Sequence, residues 1–78
     1  MRLPQGPPLV ELSPEHIDET HAITMPYGTV VAATLRGFLE NENQLPRVGE
    51  IGDMWFVGQT AWIWLVAPGA LKADWIDP

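Results

Sequence analysis

The sequence predicts a mainly β protein: a small antiparallel sheet or barrel-like domain with a C-terminal Trp-rich hairpin, a short N-terminal helical turn and an extended Pro-rich N-terminal arm. Three features lead there. All four tryptophans fall in the last two dozen positions, within residues 52–57, 61–66 and 74–78. The first two of those segments are apolar runs separated by Gly58-Gln59-Thr60, the pattern of a tight hairpin. Residues 27–35 place Val30 and Val31 between Thr29 and Thr34, and β-branched residues favour strands.

The chain opens with Pro4, Gly6, Pro7 and Pro8. Proline fixes φ and pushes the preceding residue out of the helical region, so residues 1–12 are expected to be extended. Leu9, Val10 and Leu12 give this arm apolar side chains to bury, either as a tail without a fixed place or as an arm docked on a neighbour. Ser13-Pro14-Glu15 has the order of a helix start: Ser at the N-cap, Pro at the first position, an acid in the first turn. The helix is expected to stop by about His21, since Thr20, Ile23 and Thr24 are poor formers and Pro26 follows. These segments form an expected N-terminal unit, 1–26, ahead of a β domain at 27–78.

Within that domain, a strand over residues 27–35 competes with a helix over 30–40, and Gly37 together with the β-branched start favours the strand. Phe38 and Leu39 continue it past a bulge at Gly37. Residues 40–44 form a solvated loop, and Pro46, Gly49 and Gly52 mark successive turns. The hairpin register has two solutions. A two-residue loop pairs Trp55 with Trp62, whereas a three-residue loop pairs Phe56 with Trp62 and Met54 with Trp64. Pro68-Gly69 is a further turn, followed by a short last strand over 73–76.

A sheet that faces water on one side alternates apolar and polar residues. The hairpin does not, so both of its faces call for cover. At 78 residues and 8.7 kDa the chain has little with which to supply it. Folding to a compact monomer would remove roughly 7,900 Å² from water, about 60% of it apolar, worth roughly 120 kcal/mol. Ordering the chain costs about 1.5 kcal/mol per residue, roughly 117 kcal/mol in all. The near-cancellation points to association, because the absence of cysteine excludes disulfides and thiolate metal sites.

Charge narrows the partners. The net charge is −6, and Arg2, Arg36, Arg47 and Lys72 are scattered, so no phosphate-binding cluster exists and nucleic acid is not an expected partner. No apolar run approaches the ~20 residues of a membrane span, and the N-terminus lacks the apolar centre of a signal peptide. No membrane partner and no export are expected.

The candidate chemical groups are weak. His16 and His21 are five apart, about 140° around a helix, where a helical metal pair needs a spacing near four. With Asp18 and Glu19 they read as a solvated face. The glycines of residues 49–52 lack a Lys and a following helix, so they form turns and no phosphate loop. Asp53 reads as a turn-bonding carboxylate, with Glu50 the sole acid near it. No nucleophile–base pair can be assembled, and neither an enzyme nor a cofactor is expected. The tryptophans have two readings. Exposed in a row they would stack on sugar rings. Buried they are core or subunit interface, which the apolar neighbours Met54, Phe56, Ile63 and Leu65 favour.

Leu45-Pro46, Gly49, Gly52-Asp53, Trp55 and Val57, then Trp62 and Trp64, then Trp75 form an ordered pattern. It resembles a short module of bacteriophage virion proteins, especially tail-fibre and tail-associated chains. There a Leu-Pro, a Gly-containing turn, Gly-Asp, an aromatic, a hairpin, an aromatic pair and a closing Trp follow one another. The resemblance covers residues 45–78. It implies a non-enzymatic structural protein of the virion, capsid-associated, connector or tail, assembled in the host cytoplasm. Such a protein binds other virion proteins and itself. Leu9, Val10, Leu12, Trp55, Phe56, Trp62, Trp64 and Trp75 are the expected interface residues. The alternative is a carbohydrate-binding or receptor-recognition module that uses the Trp row on a glycan. A third possibility is an acidic inhibitor of a basic host site.

Overall fold

The computed structural model describes residues 12–78. The extended arm expected at the N-terminus, with Leu9 and Val10, lies outside the described residues. From Leu12 onward the chain is mainly β: β1 (Thr20–Thr24), β2 (Val30–Leu39), β3 (Asp53–Val57), β4 (Thr60–Leu65) and β5 (Asp74–Ile76) form one sheet in the order β1-β2-β3-β4-β5. Its only helical pieces among the described residues are the 3-10 turns Pro14–His16 and Glu42–Gln44.

The short helical turn is there, with Ser13 at the N-cap position and Pro14 leading it, and it ends at His16, within the expected limit. One expectation about the N-terminal side needs correction. Thr20–Thr24 is a strand paired with β2, so the β domain begins there and not at position 27. The tertiary cause is a hairpin. Met25-Pro26-Tyr27-Gly28 turns sharply, with the Gly28 amide donating to Met25 C=O and the Met25 amide donating to Thr29 C=O. Gly28 supplies the positive φ (+90°) that closes such a three-residue loop. That turn brings Thr20, Ile23 and Thr24 beside β2, where β-branched residues pack well.

The sheet is not purely antiparallel and does not close. β2 and β3 are parallel neighbours, with a bulge between Leu35 and Gly37 that leaves Arg36 as the extra residue. Among the described residues β1 and β5 are the two edges of the sheet. Parallel neighbours need a crossover, and residues 40–52 make it as a loop carrying one 3-10 turn. Asn41 caps that turn: its side chain accepts from the Asn43 amide while Gln44 reaches back to the Asn41 amide.

The hairpin takes the two-residue solution. Trp55 pairs with Trp62 and Val57 with Thr60 around Gly58-Gln59. Gly58 has φ +60° and Gln59 is not in the left-handed region, the pattern of a II′ turn. This register puts Met54, Phe56, Ala61, Ile63 and Leu65 on one face, all buried, and the tryptophans on the other. Ile23, Ala33 and Leu35 extend the buried face across β1 and β2, and Leu12 and Met25 join it.

Candidate functional site

The face opposite the core carries Trp55, Trp62, Trp64 and Trp75 side by side, because Trp55 pairs with Trp62 and Trp64 with Trp75. All four are half-buried. Cover comes from the chain itself. The crossover passes over β4 and β5, and a Cβ on Gly49 would lie 3.0–3.1 Å from the rings of Trp75 and Trp64. The Trp75 indole N–H donates to Pro46 C=O at 2.8 Å. Trp64 and Trp75 meet edge to face with centroids 4.9 Å apart. On the other side the Trp55 ring lies on Gly37, where a Cβ would be 2.7 Å from Trp55 Cζ3. A glycine at each of these two positions is a close-approach requirement.

The residues expected at an interface therefore divide. Leu12 and Phe56 are core residues, at 8% and 3% exposure, and belong to no accessible surface. Trp64 and Trp75 hold the crossover, and Trp55 seats the β2 bulge. The reason is topological: a parallel β2–β3 pair requires a crossover over one face, here the aromatic one, and that loop takes the place assigned to a partner. The indole N–H of Trp62 is buried without a hydrogen-bond partner among the described residues.

The charged groups are tied to the same architecture. The Arg36 guanidinium, presented by the bulge, donates to Asp53 at 2.8 Å and to Asp18 at 3.4 Å. The second Asp53 oxygen accepts from the Glu50 amide at 2.9 Å. Burial pushes the Asp53 carboxyl up, but the Glu50 amide and Arg36 outweigh it and hold the group below its ordinary value. The expected turn role of Asp53 is thus what the structure displays, with an ion pair to β2 added. His16 shares Glu19 with His21, at 3.1 and 3.6 Å. Among the described residues no three acidic, His or Cys side chains are placed to hold a metal ion.

Asp53→Ala should lower stability at pH 7 by roughly 1–2 kcal/mol, since it removes two hydrogen bonds to a charged group. The native carboxyl titrates below its unfolded value of about 3.9, so its contribution is full above that value and fades as pH falls through the native pKa. The gap between wild type and variant should close in that acid range. Denaturant midpoints measured from neutral pH downward check this; a gap constant to the lowest pH would show that the charge of Asp53 is irrelevant.

What remains open to a partner is a different surface, one without a signal in the sequence. Val48 and Ile51 on the crossover and Val66 and Leu71 after β4 are exposed, Leu71 completely. Ile51 and Val66 fall at the same end of the sheet, because the Gly52 amide bonds Trp64 C=O; Tyr27, Val30 and Phe38 are exposed elsewhere. Beside Leu71 runs a shallow groove of about 340 Å³, lined by Leu65, Ala67, Trp75 and Ile76 with Lys72 and Asp74. Exposed apolar side chains beside a groove mark interaction sites more often than scattered single residues do.

No helix among the described residues is long and apolar enough to cross a membrane. Comparison of the chain with protein-family models, with curated proteins and with solved structures finds no match.

Proposed function

We propose that this chain is a non-enzymatic structural protein that works by docking on other proteins and on itself, as a component of a bacteriophage particle. One observation carries the docking part: the crossover and the segment after β4 expose Val48, Ile51, Val66 and Leu71, with an apolar groove beside Leu71, while Arg36, Asp18 and Asp53 are tied to one another and hold the bulge in place. The assignment to a phage particle rests on the resemblance of residues 45–78 to the virion module. The glycan reading gains nothing from the tryptophans, since Trp64 and Trp75 lie under the crossover and no row of open rings is presented.

The test is composition. Density-gradient-purified particles of the phage encoding this chain should contain it in fixed proportion to the major structural proteins, as read by mass spectrometry. Leu71→Lys should leave folding within about 0.5 kcal/mol of wild type, as fits a fully exposed side chain. The same variant should reduce incorporation several-fold. Finding the chain in the lysate but never in particles would overturn the proposal.

A further inference from the structure

The two edges of the sheet are built differently. At β5 the outward amide of Trp75 is capped by its own neighbour, the Asp74 carboxylate, at 2.8 Å. The strand is three residues long and is followed by Asp77 and Pro78. Short length, charge and proline all discourage strand addition. β1 is longer and carries fewer of these devices: its five residues, Thr-His-Ala-Ile-Thr, hold no carboxylate, proline or bulge, although Asp18 and Glu19 precede them and Pro26 follows Met25.

The direction of its backbone groups follows from the ladder. Residues of an antiparallel pair bond their neighbour at alternate positions. The Met25 amide donates to Thr29 C=O, and Glu19 C=O accepts from the Leu35 amide, so the odd-numbered positions bond inward to β2. Thr20, Ala22 and Thr24 therefore aim their N–H and C=O groups away from the sheet. Their side chains are exposed. No bond from another described residue satisfies those backbone groups.

These three positions read the same in both directions about Ala22. We infer that the outer edge of β1 pairs antiparallel with β1 of a second copy about a two-fold axis at Ala22. Thr20 then faces the partner's Thr24, and Ala22 faces the partner's Ala22, an isologous contact. Thr–Thr neighbours are favourable across strands, and this sheet already uses one, Thr20 Oγ1 to Thr34 Oγ1 at 2.9 Å. Charge selects the location: two chains of −6 repel, and β1 is an uncharged strip where their backbones can approach. Strand pairing over β1 engages far fewer than the ~20–30 residues a side of a standard interface, so a weak, concentration-dependent dimer is expected.

This inference names one contact within the self-docking part of the proposed function. Its test is independent of particles: the chain can pair in solution and never enter a particle, or the reverse. Light scattering of the full chain should show monomer giving way to dimer with rising concentration, and added salt should strengthen the dimer by screening repulsion. Ala22→Pro removes an outward amide and no bond to β2, and proline is tolerated on an open edge. It should weaken dimerisation at least about tenfold with unchanged circular dichroism. If Ala22→Pro fails to fold, Ala22→Lys, which sets like charges opposite one another, should give the same weakening. Amide exchange at Thr20, Ala22 and Thr24 should slow as concentration rises. A wild-type monomer at all concentrations, a variant that dimerises as well as wild type, or protection independent of concentration would each overturn the inference.

Discussion

Trp75→Ala should destabilise the isolated chain by about 3 kcal/mol and lower its Tm by roughly 12–24 °C. The side chain is at once the floor beneath Gly49, the edge-to-face neighbour of Trp64 and the donor to Pro46 C=O. Truncating it removes a large ring from a half-buried site and leaves a carbonyl of the crossover without its partner. Trp75→Phe should cost about 1 kcal/mol, because it keeps most of the ring and loses only the N–H bond. Thermal or urea unfolding of dilute protein measures both. If Trp75 served a partner subunit alone, neither substitution would change monomer stability.

Gly52→Ala should cost about 2–3 kcal/mol. Gly52 has φ +94°, which an L side chain adopts only with strain. An added Cβ would also sit 3.0 Å from Ala32 C=O, a backbone atom that cannot swing aside. The position matters beyond its own conformation. Gly52 C=O accepts from the Thr34 amide at 2.7 Å, and its N–H donates to Trp64 C=O at 3.0 Å. One residue thus fastens β2 to β4 at the point where the crossover enters β3. Gly58→Ala is the control: φ is +60° with open space around it, so only the conformational cost of about 1 kcal/mol applies. Equal losses at the two positions would show that the contact with Ala32 is unimportant.

Both substitutions act on the crossover, the feature least legible in the sequence. Strand propensity in Val30 and Val31 and the hairpin at Gly58 depend on local backbone preference and were readable; the bulge expected at Gly37 was found one residue earlier, at Arg36. The two-residue register was one of two local solutions. Its selection depends on Met54 and Ile63 sharing a fully buried face. β1 was hidden because Ser13-Pro14-Glu15 starts a turn that looked able to continue, while its strand partner lies beyond a hairpin. Of the interface candidates, the tryptophans read from sequence as anchors for a partner, and the intramolecular neighbours they have, Gly37 for Trp55 and Gly49 for Trp64 and Trp75, were not visible. Val48, Ile51, Val66 and Leu71 carried no signal, since an apolar residue in a loop does not announce its exposure.

The sequence by itself determined the class of the protein: mainly β, acidic, free of cysteine, with aromatic pairs facing one another across a Gly58 turn. Those properties follow from side-chain shape, charge and short-range backbone geometry, which act wherever the chain goes. Only the tertiary structure decided that β2 and β3 run parallel, and the rest follows from that. A parallel pair obliges residues 40–52 to cross a face, and the face they cross is the one with the tryptophans. The cover that the hairpin pattern assigned to a second molecule is thereby supplied from within. The surface left for a partner moves to the exposed apolar side chains of the crossover and of the segment after β4, and to the outer edge of β1.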